Sequence, residues 1–286
     1  AATGLTAFNF GVSVGCPLDF LAQLRLALRS GLAPRAVIVG VDELAFGDNP
    51  EADIYDMQLV THPGLFHALE LRDRVPIVAR ILKTLTITST RESAQNLWRR
   101  ARGHAPPPEG ELEGARPPHW EGLPPAERRA RLDAGIERMV TFWGKYLDRP
   151  DKVEGMRPTD RKLRLWDDFL ALAAEHGIRV YVALLPVQPV FERRTFSPRL
   201  LQIRAALGQT LGESCRRRGC TFRDYTDLAS FGGSADDFED GTHMTPPNAR
   251  RLLAALLGRT GATAPTDITE RAGDRQRAGE PGAPGE

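Results

Sequence analysis

Two apolar runs constrain this chain more than any other feature. AVIVGV at Ala36–Val41 and IRVYVALL at residues 178–185 are rich in β-branched residues and show little alternation. That pattern belongs to strands covered on both faces, which occur in parallel sheets flanked by helices. Each run follows an amphipathic helical stretch. Over residues 17–29, Leu18, Leu21, Leu24 and Leu28 recur at helical spacing, with Pro17 in the first turn and Gly31 as the stop. Thr159 can cap a second helix whose Leu163, Trp166, Phe169, Leu170 and Ala173 share one face, and Gly177 ends it. A short strand at residues 6–10, the first helix and the first apolar run make a βαβ unit, hence a parallel pair.

The alternation continues towards the carboxyl end. Ser197 and Pro198 open a helix with Leu200, Ile203, Leu207 and Leu211 inward, closing before Gly219. Residues 220–225 read as a short strand, and a last helix spans residues 246–257, with Thr245 as its cap and Gly258 as its stop. The expected fold class is α/β, a three-layer α/β/α sandwich with a parallel sheet and no internal repeat.

Between the second and third strands the pattern loosens. Residues 65–85 have helical stretches around Pro76, residues 91–102 look helical, and Pro106, Pro107, Pro108, Gly110, Gly114, Pro117 and Pro118 mark an irregular segment before a helix over residues 125–146. Residues 47–158 are therefore read as a helical, proline-rich insertion. It divides a core formed by residues 1–46 and 159–258, and a tail at residues 259–286, rich in Gly, Ala, Pro and charge, is expected to be disordered. The aromatics Trp98, Trp120, Phe142, Trp143 and Tyr146 are read as packing the insertion onto the core, with a ligand cleft as the alternative.

Composition removes several classes of function. Lysine and arginine number 38 against 37 acids, a formal +1, so the overall balance calls for neither nucleic acid nor an anionic membrane. The clusters Arg99, Arg100, Arg102 and Arg216, Arg217, Arg218 lie near acids and read as solvated helix faces. No apolar run approaches the roughly 18 residues of a membrane helix. The chain opens at Ala1 without a methionine or signal peptide, so it reads as a fragment or processed chain, which leaves room for an anchor upstream. Cys16, Cys215 and Cys220 lack metal-ligand spacing. Cys215 and Cys220 could bridge a helix-to-strand turn but are read as small buried hydrophobes. His62, His67, Asp53 and Asp56 do not share a helical face, so a metal-dependent hydrolase is set aside and no metal site is assigned. His104, His119 and His176 are assigned no site.

In a parallel sheet, ligands bind outside the carboxyl ends of the strands. That selects the loops at residues 9–16, 42–46 and 230–245. The first reads NFGVSVG and fits the G-x-S-x-G pattern of a nucleophile elbow, but only twelve residues precede Ser13, too few for the earlier strands such an elbow requires. The third reads EDGTHMTPPN, where Asp240 lies close enough to His243 to hold the imidazole in one tautomer and let it act as a general base. A plain turn followed by a capped helix accounts for the same residues without chemistry.

EDGTHMTPPNARRLLAALL resembles the final D-x-x-H block of the SGNH or GDSL-type esterases and acyltransferases, in particular the extracytoplasmic members that acylate or deacylate cell-surface polymers, such as the alginate O-acetyltransferase-like and D-alanyl transfer proteins. NFGVSVG then resembles the family's second block, which makes Ser13 an oxyanion-loop residue with a backbone N–H of Val14 or Gly15 as donor. The third block falls on Val39, Gly40, Val41 and Asp42, with aspartate where the family has asparagine. An ionised aspartate cannot donate, so Asp42 weakens that half of the oxyanion hole. The nucleophile block has no match and is expected upstream of Ala1. The resemblance covers residues 6–46 and 159–257. It implies a serine esterase or O-acyltransferase acting on acyl esters of cell-envelope polymers outside the cytoplasm. His243 would be the base and Asp240 its orienting partner, with no cofactor and no nucleic-acid partner. A non-catalytic module that binds a glycan or a protein is the alternative.

Overall fold

The computed structural model describes residues 15–32, 34–47, 69 and 122–258. Expectations for residues 6–10, 65–85 and 91–102, for the proline-rich segment before residue 122 and for the tail lie outside the described residues, as do Ser13 and Val14. Helix α1 (Pro17–Arg29) begins at Cys16, whose backbone N–H donates to Asp19 Oδ2 at 2.8 Å. It leads into strand β1 (Ala36–Val41) and a single 3-10 turn (Glu43–Ala45). The chain then forms α2 (Pro125–Leu147), α3 (Pro150–Glu154), α4 (Asp160–Glu175), β2 (Arg179–Leu184), α5 (Pro189–Thr195), α6 (Pro198–Arg218), β3 (Thr221–Asp224) and α7 (Pro246–Leu256). The side chains of Thr159 and Ser197 accept from the N–H groups of Lys162 and Leu200, as expected of capping residues.

The described strands form one open parallel sheet in the order β1-β2-β3. Ala36 is paired with Arg179, Val41 with Leu184 and Tyr181 with Thr221. On one face Val39, Val41, Val180, Val182 and Leu184 are buried in a cluster with Leu21 of α1, Trp166 and Phe169 of α4, and Leu207 and Leu211 of α6. On the other, Ala183 packs with Tyr225, Phe231 and the α7 residues Leu252 and Leu256. Helices thus cover both sides, giving the expected three-layer α/β arrangement.

Several particulars depart from the sequence reading. β2 is covered on both faces, with Val182, Ala183 and Leu184 all buried. β1 is not: Ile38 is 46% exposed and Gly40 is exposed, because β1 edges the described sheet and α7 packs over β2 and the chain that follows β3. Cys215 and Cys220 are joined in a disulfide rather than packed as free thiols. Gly219, at φ +72°, turns the chain back at the end of α6, so that the Cys220 N–H donates to Cys215 O and the two Cα atoms stand 4.7 Å apart, within bridging range. Thr245 occupies the N-cap of α7, but its hydroxyl is buried without a hydrogen-bond partner among the described residues. Pro247 removes one of the two N–H groups that such a cap can bind, and the Thr245 hydroxyl does not accept from the other, that of Asn248.

α2, which the sequence assigns to the insertion, packs closely on the rest of the molecule. Leu132 and Ile136 are buried with Val187, Phe191 and Phe238. Trp143 and Tyr146 pack against a second cluster containing Met156, Leu200 and Ile203, whereas Phe142 is exposed. The aromatics in α2 therefore serve mainly as packing.

Candidate functional site

The parallel sheet carries its three strand ends to a common rim, and the chain after β3 returns there as a narrow hairpin. Phe238 and Met244 form an antiparallel bridge, the Glu239 N–H donates to His243 O at 2.8 Å, and the Thr245 N–H donates to Asp237 O at 3.0 Å. Asp240 sits at the tip. Its Oδ1 accepts from the backbone N–H groups of Thr242 (2.8 Å) and His243 (2.9 Å), and its Oδ2 lies 2.8 Å from His243 Nδ1. The structure brings these two sequence-selected residues into direct contact.

The two partners differ in their access to solvent. The Asp240 side chain is 20% exposed and that of His243 70%. A carboxylate can only accept, so the proton on the neutral imidazole belongs on Nδ1 and Nε2 carries the lone pair. Burial pushes the Asp240 carboxyl up, but the His243 ring and the two backbone N–H groups outweigh it and hold the group below its ordinary value. The hydrogen bond to Asp240 raises His243, burial opposes it, and the charges of Asp240 and Glu239 add to the rise. The arrangement can hold a proton, direct a basic nitrogen outward and stabilise the imidazolium that forms.

Two close backbone approaches fix the hairpin tip. Gly135 of α2 lies so near that a Cβ there would stand 2.6 Å from Glu239 O and 3.0 Å from Asp240 Cβ. A Cβ on Gly241 would come within 2.5 Å of the Phe191 ring in α5. Gln188, buried just beyond β2, donates its backbone N–H to Gly241 O at 2.9 Å and its side-chain amide to Ala235 O at 3.3 Å. Its Oε1 accepts from the N–H groups of Val190 and Phe191, so one side chain starts α5 and ties down the loop.

Asp42, the expected oxyanion-hole position, ends β1. Its Oδ1 accepts from the Ala45 N–H at 3.1 Å and caps the 3-10 turn. Burial pushes its carboxyl from 3.8 up to about 6, and the neighbouring Glu43 charge adds to the rise against the opposing pull of the Ala45 N–H and Arg204. Behind it, Glu43 and Arg204 form a buried ion pair at 3.3 Å. Arg204 also donates to Leu185 O and lies over the Phe196 ring, 5.6 Å from its centroid. One cation in α6 therefore links the ends of β1 and β2. Gly15, the other expected oxyanion residue within the described chain, directly precedes the Cys16 cap of α1 and is half-buried.

Sequence reasoning missed Gln188, Gly135, Glu43 and Arg204 as parts of this rim. Gln188 before a proline had the form of a cap, and Arg204 next to inward-facing Ile203 was an available sign of a buried charge. Gly135 gave no signal beyond being a glycine inside a helix. Among the described residues no group of histidine, cysteine and acidic side chains could hold a metal ion, and no helix is long and apolar enough to cross a membrane. His62, His67, Asp53 and Asp56 lie outside the described residues. In comparisons with known proteins, no protein-family model and no curated protein matches the chain.

Proposed function

We propose that this chain is a fragment of an SGNH-like serine esterase or O-acyltransferase acting on acyl esters of cell-envelope polymers, with its nucleophilic serine in a segment preceding Ala1. The observation that carries the reading is the 2.8 Å contact between His243 Nδ1 and Asp240 Oδ2, with the imidazole largely open to solvent at a strand-end rim. In this reading Nε2 takes the serine proton as the hydroxyl oxygen attacks the acyl carbonyl. It then passes that proton to the departing alkoxide, leaving an acyl-enzyme. Water or an acceptor hydroxyl then repeats the sequence with His243 as base. Asp240 stays ionised and steadies the imidazolium. Backbone N–H groups of Val14 or Gly15 would receive the oxyanion. No cofactor enters the reaction. The Cys215–Cys220 disulfide supports an extracytoplasmic setting, since such bonds persist where the surroundings are oxidising.

Asp42 favours a second reading, a non-catalytic module of the same fold that binds a glycan or a protein. Its carboxyl is pushed up only to about 6, so at neutral pH it is mostly ionised and offers no donor to an oxyanion. The test uses the protein extended upstream of Ala1. The enzyme reading expects covalent labelling by a fluorophosphonate and hydrolysis of a short p-nitrophenyl ester, both lost in His243→Ala. Absence of labelling would favour the binding module, and hydrolysis that survives His243→Ala would refute the role of that residue.

A further inference from the structure

Asn248 stands in the first turn of α7 and is fully buried. A buried amide must satisfy two donors and an acceptor oxygen. Its Nδ2 donates to Ser234 O at 2.8 Å and to Asp237 O at 3.0 Å. Its Oδ1 accepts from the Ser234 N–H at 2.9 Å and from Arg251 Nη1 at 3.1 Å. Every hydrogen-bonding position of the amide is filled, and most of its partners belong to the segment entering the hairpin. The segment leaving the hairpin runs through Thr245 into the helix that carries Asn248 itself.

The side chain therefore closes the base of the loop whose tip holds Asp240 and His243. Arg251, one turn further along α7, adds an ion pair to Asp237 Oδ2 at 2.6 Å. Asp237 O receives both the Asn248 amide and the Thr245 N–H, so the two limbs meet at one carbonyl. α7 itself is held elsewhere, by Leu252 and Leu256 against Tyr225 and Phe231. The fastening of the loop and the anchoring of the helix are thus carried by different side chains.

We infer that Asn248 is a positioning residue for the Asp240–His243 pair, acting through the hairpin base rather than by touching either member. Its bearing on turnover rests on the proposed function, whereas its bearing on the pair does not. No other amino acid presents the same arrangement at this depth. Aspartate keeps the shape but turns an acceptor towards the Ser234 and Asp237 carbonyls, and alanine leaves the Ser234 N–H without its partner and takes one of two donors from each carbonyl.

The test is the proton NMR titration of His243, identified among the six histidines by its absence in His243→Asn. The charges that act on this ring are Asp240 and Glu239, both carried by the hairpin. In Asn248→Ala and Asn248→Asp the His243 midpoint should fall towards 6.5, the value of a ring without its carboxylate partner. In Leu252→Ala, which weakens the seat of the same helix, it should stay where it is. An unchanged midpoint in Asn248→Ala, or an equal fall in Leu252→Ala, overturns the inference. If the Asn248 variants do not fold, hydrogen exchange in the unaltered chain decides. The Thr242 and His243 amides, bound to Asp240, should open together with the Ser234 amide, bound to Asn248, and independent opening overturns the inference. Because the titration needs no turnover, its outcome is separate from that of the fluorophosphonate labelling.

Discussion

Replacing Asp42 with asparagine should make the protein more stable at neutral pH, although it removes a charge from a capping position. The carboxyl is displaced upward from 3.8 to about 6, first by burial and then by the Glu43 charge. An acid with a raised value binds its proton more tightly in the folded chain than in the unfolded one, so stability falls as pH rises between the two values and the cost is complete above the higher. At about 1.36 kcal/mol for each tenfold step, the displacement is worth about 3 kcal/mol, which is a ceiling. The amide of the substituted side chain would keep an oxygen to accept from the Ala45 N–H, and asparagine caps a helix as well as aspartate does. The expected gain in Asp42→Asn is therefore about 1–3 kcal/mol at pH 8, shrinking to near zero at pH 4, where the native carboxyl is already protonated. Urea unfolding across that interval measures it. A gain independent of pH would refute the charge argument, and a loss at pH 8 would refute the whole account. On the proposed esterase reading the same substitution supplies a neutral donor at the rim, so kcat for a short ester should rise at pH 7.5.

Other expectations follow from the same rim. Thr245→Val removes a buried hydroxyl that has no partner among the described residues and should stabilise the fold by about 1 kcal/mol in thermal unfolding. Gly135→Val forces a side chain into the Glu239 carbonyl and should lower both the His243 midpoint and ester hydrolysis, with a stability loss of about 2 kcal/mol or more. His243 is raised by its bond to Asp240, so kcat/KM should rise with pH through a midpoint above 6.5. In Asp240→Asn that midpoint should drop along with the rate. Cys215→Ser with Cys220→Ser opens a short loop and should cost about 2 kcal/mol, read by urea unfolding under oxidising conditions.

Much of the architecture was legible because single residues announce it. Pro17 and the leucine spacing mark α1, Thr159 marks the start of α4, and Ser197 with Pro198 marks α6. The Asp240–His243 contact was legible for a different reason: it is closed within one loop, so spacing along the chain nearly determines spacing in space. What depends on distant partners was not legible. α5 contains only Phe191 as a fully buried anchor, too little periodicity to recognise, and its start depends on Gln188, whose backbone is held by Gly241 much later in the chain. β1 reads as a strand covered on both faces, but its open face follows from its place at the edge of the described sheet, which no local pattern encodes. The cysteine pair turned on the left-handed bend at Gly219, and five positions of separation leave either state open until that bend is known.

Arg204 gives the rim a property that none of its parts has alone. Its guanidinium is shared between the carboxylate that follows β1 and the carbonyl that follows β2, and it also contributes to the balance that sets the charge of Asp42. Substitutions at positions 42, 43 and 204 should therefore be strongly epistatic, each changing the consequence of the others by as much as its own effect. Drift at any of the three is tolerated only in company, and a library that varies them singly will misjudge which combinations survive.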